Sequence, residues 1–321
     1  MPLLLVLLGT TAWALLTSYY GWPIYLELFS HFQLQYFVAS LGLLGLLLLT
    51  GRQWLAWIGL GCCAILAVVQ ILPWYWPVAT LSSQPQPALR VLMLNLHVMN
   101  EQVDEVVALV RQEQPDVAFF MEVTDTWADR LTVLQDRLPY SSRGARVENS
   151  ELLLLSRLEL NDLEVVQFSR YAAPSLITTL DVAGRSLTLL ATHLKVPVRR
   201  QSFQWRNQQL EAMATYLQTV SSPVLTIGDF NLSMWSPYYR RFVQHTGLIN
   251  ARRGFGILPS WPTPGPYPQR PKAAALLLAI PIDQCLVSPG VQTVNIRTGP
   301  AVGSDHRPVV VDLALEQAAN P

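Results

Sequence analysis

Near the C-terminus, an acidic residue and a histidine stand side by side in the segment Gly303–Pro308. The segment precedes the apolar run Val309–Val311, a pattern that predicts a loop leading into a buried strand. In such a loop, Asp305 and His306 can both face one cleft. A carboxylate binds a divalent cation, and an imidazole carries a proton or bonds to a phosphoryl oxygen. An isolated Asp-His pair is more often part of a surface turn, so its interpretation depends on the rest of the chain.

Polar side chains of the same kinds stand at the ends of other apolar strands. Each of them alone has an ordinary explanation, such as capping a turn or carrying a solvated loop charge. Together they place carboxylates, amides and imidazoles at one rim, a composition suited to binding a hard cation and activating water. These residues are Asn95, Glu122, His193, Asp229, Asn231 and Asp283.

The elements that must position these residues alternate along residues 89–316. Leu89–Leu94 is predicted as a strand that ends at Asn95, and 117–121 as a strand that ends at Glu122. Valines at helical spacing predict a helix over 101–114. Strands dominate the later part, so we expect two mostly antiparallel sheets packed together with helices outside. Further strands are predicted at 152–155, 176–180, 187–191, 224–227, 282–287, 291–296 and 308–315, and further helices at 124–138, 198–220 and 236–245.

The N-terminal part of the chain has a different composition. Residues 1–89 hold only Arg52 and Glu27 of the 22 basic and 22 acidic residues. A cleaved signal peptide does not fit, because the first apolar segment lacks a basic start and further apolar segments follow. We therefore expect three transmembrane helices within 1–76. The three apolar segments are Leu3–Tyr20, 34–50 and 54–72, and each approaches the ~20 residues that span a bilayer.

The orientation of this membrane region depends on Arg52, the one charge between the second and third segments. The positive-inside rule places Arg52 in the cytoplasm and everything after the third helix outside it. We expect a multi-pass protein of a bacterial inner membrane with an extracytoplasmic catalytic domain. A linker rich in Pro, Ser and Gln covers 77–88, and a short tail covers 317–321. The near-neutral charge of the remainder argues against a protein that grips long nucleic acid through many phosphates.

Six motifs in order carry a resemblance to a known family. Over about residues 89–316 the chain resembles the endonuclease/exonuclease/phosphatase superfamily. The resemblance implies an α/β (α+β) fold, a four-layer α/β/β/α sandwich, and phosphoester hydrolysis that depends on Mg²⁺, with Mn²⁺ as the alternative. The motifs read LNLHVMN, FFMEV, ATHL, IGDFN, PIDQCLVS and GSDHRPVV.

The resemblance also implies metal ligands. Glu122 resembles the principal metal carboxylate of the family, and Asn95 and Asp305 complete or support the same metal site.

The resemblance also implies the following catalytic roles. Asp229 and Asn231 orient the attacking water and bond to the phosphoryl oxygens. His306, held by Asp283, acts as general base or stabilises the charged phosphorus centre. His193 contacts the phosphate from the other side.

The substrate-selecting loops are expected at 140–150, 196–206 and 255–272. Arg199 and Arg206 are candidates for contacts with substrate phosphates, with a solvated helix face as the alternative. Many relatives carry His or Tyr where this chain has Gln284, which puts one supporting contact in doubt. Arg143 and Arg146 lie in the first of these loops.

We therefore expect a membrane-anchored hydrolase that cleaves a phosphodiester or phosphomonoester, such as a phospholipid headgroup. The first alternative is a membrane-tethered nuclease acting on DNA or RNA. The second is a catalytically idle membrane scaffold, which the full set of motifs disfavours. The expected partners are the phosphoester substrate and the membrane, and the sequence indicates no obligate protein partner.

Overall fold

A computed structural model describes residues 1–76, 87–145, 152–267 and 271–315. Most of the predicted linker, Arg146 and the predicted tail lie outside the described residues.

The N-terminal region forms a compact group of apolar helices. α1 (Pro2–Tyr20), α2 (Ile24–Ser30), α3 (Gln33–Leu48) and α4 (Gln53–Leu66) follow one another, and the last continues through a π turn and a 3-10 turn to Trp74. Pro2–Tyr20 and Gln53–Trp74 are each long and apolar enough to cross a membrane. α2 and α3 form a third span if they are counted as one element bent by 65°. The short α2, which contains Glu27, was not expected from the sequence.

The remaining elements alternate strands and helices at first and are mostly strands later. In chain order they are β1 (Leu89–Asn95), α5 (Val103–Glu113), β2 (Val117–Met121), α6 (Asp125–Arg130), β3 (Tyr140–Ser141), β4 (Leu152–Ser156), β5 (Asn161–Val166), β6 (Ser175–Val182), β7 (Arg185–His193), α7 (Arg200–Leu217), β8 (Val224–Asp229), α8 (Pro237–Thr246), β9 (Ile249–Asn250), α9 (Lys272–Leu278), β10 (Asp283–Val287), β11 (Val291–Thr298) and β12 (Val309–Leu315).

These strands form two six-stranded sheets among the described residues. The first sheet has the order β11-β12-β1-β2-β4-β3, and the second has the order β5-β6-β7-β8-β10-β9. β1 runs parallel to β2 and β7 runs parallel to β8, whereas the neighbouring pairs are antiparallel. Each sheet therefore contains one parallel pair at its centre, and the carboxyl ends of such a pair meet at one edge.

The two sheets pack face to face, because alternate residues of their apolar strands point to the space between the sheets and the others point to the outer helices. Val91 and Phe119 of the first sheet share one buried cluster with Leu189 and Ile227 of the second. The outer face of the first sheet is covered by α5 and α6, and the outer face of the second by α7 and α8. This arrangement confirms the predicted α/β/β/α sandwich.

Besides α2 and α9, which the sequence did not predict, the differences from the sequence prediction lie at sheet edges and helix ends. β5 was missed because its residues are mostly exposed or half-buried, so it lacks an apolar run. β3 and β9 have two residues each and carry no periodicity. The helix predicted at 124–138 ends at Arg130 and continues as a 3-10 turn to Leu134.

The apolar helices pack directly against the domain formed by the two sheets. Ile71 and Trp74 belong to the same buried cluster as α7 and α8, and Leu34 and Phe37 of α3 pack against that cluster. The main-chain oxygen of Trp74 also accepts hydrogen bonds from the N–H groups of residues 254 and 256. The N-terminal region thus shares a core with the outer helical layer of the second sheet.

Candidate active site

The strand register brings the predicted site residues to one edge of the sandwich. Asn95 ends β1 beside Met121, the last residue of the parallel strand β2. His193 ends β7 directly beside Asp229, the last residue of the parallel strand β8. Asp283 begins β10 and pairs with the same Asp229 from the antiparallel side. Parallel pairs at the centres of both sheets therefore deliver these side chains to one cleft.

The first half of the cleft contains an amide and a carboxylate in contact. Nδ2 of Asn95 donates to Oε1 of Glu122 over 2.9 Å, and the N–H of Val98 donates to Oε2 over 3.2 Å. Glu122 has a φ of 57°, a left-handed conformation that turns the chain at the end of β2. The hydroxyl of Ser304 donates to the main-chain oxygen of Asn95 over 2.6 Å and so holds the Asp305 loop against β1.

The second half of the cleft contains a buried imidazole between carboxylates. Nδ1 of His306 lies 2.9 Å from Oδ2 of Asp283, and Nε2 lies 3.7 Å from Oδ2 of Asp229. Oδ1 of Asp305 lies 4.0 Å from the same Nε2. Because Asp283 occupies Nδ1, only Nε2 remains to face a substrate.

Asp229 lies between the two histidines. Its Oδ2 is 3.7 Å from Nε2 of His193 and receives Nδ2 of Asn95 over 3.4 Å. Its Oδ1 accepts the N–H of Asn231 over 2.8 Å, and Nδ2 of Asn231 donates to the main-chain oxygen of Leu194 over 2.7 Å. These bonds fix the Asp-Phe-Asn turn against the end of β7.

A glycine is required immediately before this turn. Gly228 has a φ of 140°, and a Cβ there would lie 1.7 Å from the main-chain oxygen of Thr192. Any larger residue would separate β7 from β8 where the catalytic side chains meet. The IGDFN motif therefore has a steric basis.

The electrostatic environment gives the buried groups different proton affinities. Burial lowers the pKa of His306, but Asp283, Asp229 and Asp305 outweigh it and raise the pKa to about 10. Burial and the negative charge of Asp283 raise the pKa of Asp229 to about 7. Burial lowers the pKa of His193. For Asp283, burial raises the pKa, but the charge and hydrogen bond of His306 outweigh it and leave the pKa lowered. The cleft thus holds a charged imidazole and a neutral one on either side of one carboxyl group.

The donor atoms of the cleft fit a hard divalent cation. Glu122 and Asp305 offer carboxylate oxygens, and Asn95 supports the Glu122 carboxylate through its amide. A second group, Asp229, Asp283 and His306, has donor atoms within 4.8 Å of one another. In that group Nδ1 of His306 and Oδ2 of Asp283 are already hydrogen-bonded to each other. Both groups offer donor atoms of the kinds that bind divalent cations in proteins.

The two arginines suggested as phosphate contacts are placed differently from each other. Arg199 is exposed and immediately precedes α7, within reach of solvent. Arg206 is fully buried and lies 3.1 Å from Oε1 of Glu27. The expectation of a substrate contact is therefore wrong for Arg206, because its charge is already paired away from solvent. Arg143 forms an ion pair with Asp129.

Other residues around the site were not identified from the sequence. Nε1 of Trp261 donates to Oδ2 of Asp305 over 3.1 Å. Gly265 has a φ of 54°, and a Cβ there would lie 2.7 Å from Asp305. Both lie in the 255–272 segment, which the sequence predicted as a substrate-selecting loop without a contact to Asp305. Gln284 donates to the main-chain oxygens of Leu232 and Pro281, so its amide supports the chain below the site.

A model of the Endonuclease/Exonuclease/phosphatase family matches residues 94–306. The match begins within β1 and ends at His306, so it includes every site residue described above. The chain belongs to this family. Its members hydrolyse phosphoester bonds, and the chain is a hydrolase of this class.

Solved structures of the family share the fold of this chain at low sequence identity. An endonuclease/exonuclease/phosphatase from Beutenbergia cavernae is 21% identical, with a TM-score of 0.54 and 72% of each chain covered. Humanized D. rerio TDP2 is 16% identical, with a TM-score of 0.55 over 70% of this chain and 98% of the other. Sphingomyelinase C from Streptomyces griseocarneus is 17% identical, with a TM-score of 0.52 over 71% and 99%. A search of curated protein sequences gives no match to the chain.

Proposed function

We propose that this chain is a membrane-anchored, divalent-metal-dependent phosphoesterase that cleaves the headgroup phosphoester of a phospholipid at the membrane surface. The observation that carries the proposal is a set of exposed apolar residues in three segments that lead to site residues, one of which is hydrogen-bonded to the N-terminal helices. We define the apolar rim as Val98, Met99, Val196, Val198, Leu276, Leu277 and Leu278, all of which are exposed.

Two parts of the rim begin at catalytic residues. Val98 and Met99 follow β1, and the N–H of Val98 donates to Glu122. Val196 and Val198 follow His193 at the end of β7, and Val198 is 75% exposed. Exposed apolar residues grouped around a polar cleft are typical of a surface that contacts lipid or another apolar partner.

The third part of the rim is α9, which is attached to a membrane helix. Leu276 and Leu277 are 74% and 68% exposed. Nε2 of Gln35, in the first turn of α3, donates to the main-chain oxygens of Leu277 and Ala279 over 3.1 and 3.0 Å. This contact holds α9 level with the start of an apolar helix, where leucines enter the interfacial region of a bilayer.

The same segment leads to the metal side of the cleft. Ile280 pairs with Trp261 in a short antiparallel bridge, and Trp261 donates to Asp305. Successive contacts therefore connect α3 to α9, and the segment after α9 to Trp261 and Asp305. A phosphate group at the level of lipid headgroups would meet the cleft without leaving the membrane surface.

The proposed chemistry follows from the site geometry. Glu122 and Asp305, supported by Asn95, would hold Mg²⁺, and the bound cation would neutralise charge on the phosphoryl oxygens. Asp229 binds and orients the attacking water, and the N–H of Asn231 fixes its other oxygen. Phosphoryl transfer needs positioning and charge neutralisation above all, which this arrangement supplies.

His306 and His193 complete this scheme from opposite sides of Asp229. Carboxylates of Asp283, Asp229 and Asp305 lie within 4.0 Å of His306, so its Nε2–H carries positive charge toward the phosphoryl group. His193, 3.7 Å from Oδ2 of Asp229 on the other side, donates a hydrogen bond to the leaving oxygen in this scheme. The proton that Asp229 takes from the attacking water balances the proton that the leaving oxygen gains when the P–O bond breaks.

The proposed orientation keeps the catalytic domain outside the cytoplasm. One end of the N-terminal helices faces the catalytic domain. At that end Gln35, Gln70 and Ser18 form hydrogen bonds with the domain. Arg52 lies in the turn between α3 and α4, at their other end. Placing this arginine in the cytoplasm follows the positive-inside rule.

A second candidate function is nuclease activity, which one surface feature favours. Tyr171 stacks on Trp205 with ring centres 4.9 Å apart. Arg170 lies over the Tyr171 ring, and Lys195, two residues after His193, lies over the Trp205 ring. Stacked aromatic rings with adjacent cations are the usual platform for single-stranded nucleic acid.

Purified full-length chain offered three substrates in parallel tests these candidates. The substrates are phosphatidylethanolamine/phosphatidylglycerol vesicles carrying the chain, single-stranded DNA, and soluble bis(p-nitrophenyl) phosphate, each with Mg²⁺ or EDTA. We expect Mg²⁺-dependent headgroup or phosphate release from the vesicles, lost in Asp229→Ala. DNA cleavage without lipid turnover would replace the proposal with the nuclease. Inactivity on all three would contradict both and favour the scaffold.

A further inference from the structure

The N-terminal helices contribute a buried ion pair to the catalytic domain. Glu27 of α2 and Arg206 of α7 are both fully buried, with Nη2 of Arg206 3.1 Å from Oε1 of Glu27. Ser236 donates to Oε1 over 2.8 Å, and Nε2 of His31 lies 3.6 Å from Oε2. A buried ion pair adds little net stability, because desolvation offsets the attraction. The pair does fix the position of the Arg206 guanidinium, which has no solvent contact.

Arg206 connects this pair to the catalytic turn. Its Nη1 donates to the main-chain oxygen of Asn231 over 3.0 Å. Asn231 has a φ of 50°, and its N–H fixes Oδ1 of Asp229. The guanidinium therefore supports the turn from the side opposite to the cleft, at the residue whose conformation aims Asp229.

The segment that follows the turn is also bound by residues of the N-terminal region outside α3. Nδ1 of His31 lies 2.9 Å from Oγ of Ser233. The hydroxyl of Ser18 in α1 donates to the main-chain oxygen of Trp235 over 3.1 Å, and Nε1 of Trp235 donates to the main-chain oxygen of Gln70 over 2.9 Å. We call residues 231–236 the clamped segment. Its contacts with the N-terminal region therefore add to those that Arg206 of α7 and Gln284 of β10 make with it.

We propose that the N-terminal helices are a working part of the active site, in which Glu27 is a positioning residue that acts through Arg206 on Asn231 and Asp229. An anchor alone requires only a covalent link to the domain. Here the polar side chains of the membrane region converge on the turn that orients the attacking water. Displacement of such a group by about 1 Å can reduce turnover about 100-fold.

The test compares Glu27→Gln with a matched control in the full-length chain. Glu211→Gln removes a carboxylate that pairs with Arg241 over 3.0 Å at the exposed α7–α8 surface. With bis(p-nitrophenyl) phosphate as probe, we expect Glu27→Gln to lower kcat about 10- to 100-fold with little change in KM. Glu211→Gln should match the wild type in both constants.

Hydrogen exchange provides a readout that does not depend on activity, so this inference and the proposed function can fail separately. We expect the amides of 229–236 to exchange about tenfold faster in Glu27→Gln and at the wild-type rate in Glu211→Gln. If Glu27→Gln does not fold, the same measurements are made on Glu27→Asp. This variant keeps the negative charge, but its side chain is too short to hold Arg206 in the same position. A lowered kcat at unchanged KM in Glu27→Asp supports the proposal. Wild-type kcat and wild-type exchange in the variant that folds would overturn it.

Discussion

His306 is bonded to Asp283 through Nδ1 over 2.9 Å, so the ring presents Nε2 to Asp229, 3.7 Å away. Asp283 belongs to β10 and His306 to a separate loop, so this hydrogen bond joins two elements and sets the direction in which the ring faces the cleft. The hydrogen bond fixes the position of the ring and keeps it charged. Loss of Asp283 should therefore affect the reaction through His306, without removing any group that touches substrate.

His306→Asn and Asp283→Asn should both reduce turnover, by different routes. We expect His306→Asn to lower kcat by about 10²- to 10⁴-fold, the usual contribution of a positioned acid or base. Asp283→Asn should lower kcat less and shift the pH at which activity falls, because the imidazole loses its charged partner. Rate measurements from pH 5 to 10 check this. An unchanged pH profile in Asp283→Asn would show that the carboxylate does not act on the imidazole.

The raised pKa of His306 links the stability of the protein to pH. Its ordinary value is 6.5 and its value in the folded protein is about 10. The charged imidazole therefore contributes stability that is fully present below pH 6.5 and is lost as pH rises through about 10. We expect the Tm of the full-length chain in EDTA to fall more steeply across this window than the Tm of His306→Asn. Parallel curves would contradict the assigned charge.

Gly265 should be necessary for metal binding. A Cβ at this position would lie 2.7 Å from Asp305, and the φ of 54° is itself unfavourable for a side chain. Gly265→Ala should move the Asp305 loop and weaken Mn²⁺ binding, measured by calorimetry. Gly184→Ala is the matched control, since this glycine also has a positive φ but nothing lies within 4 Å of its Cβ position. Equal Mn²⁺ affinity in the two variants would argue against Asp305 as a ligand.

Cys285 should be chemically inert in the folded protein. Burial raises the pKa of its thiol to about 12, so almost none of it is thiolate at neutral pH. We expect iodoacetamide at pH 8 to leave the peptide containing Cys285 unmodified until denaturant is added, as measured by mass spectrometry. Modification at the rate of a free thiol in the native protein would mean that the core between the sheets opens readily.

The sequence was sufficient for most of the fold, and it led to strand-end residues that the structure brings to one cleft. Strand ends such as Asn95 and Asp229 could be located because buried strands leave unbroken apolar runs that stop at a polar residue. β5 could not be located, because an edge strand with exposed residues has no such run. Local sequence also does not show which residues of the two sheets meet across the core.

Arg206 shows why the environment of a charge is harder to predict. In sequence it belongs to a predicted helix with Arg199 and Arg200, for which a solvated face was one interpretation. In the structure its partner is Glu27, 179 residues away, on an element that hydropathy assigned to the membrane region. Only the docking of that region on α7 distinguishes a buried structural arginine from an exposed phosphate contact.

The central claim is that the chain cleaves phospholipid at the membrane through its apolar rim. Leu277→Asp tests it most directly in vesicles carrying the full-length chain, by the ratio of lipid turnover to turnover of added bis(p-nitrophenyl) phosphate. Val133→Asp, at an exposed site away from the rim, is the control. We predict that the ratio falls about tenfold in Leu277→Asp, since a charge in the membrane interface costs on the order of 1 kcal/mol or more, and stays at the wild-type value in Val133→Asp. An unchanged ratio in Leu277→Asp would contradict the account.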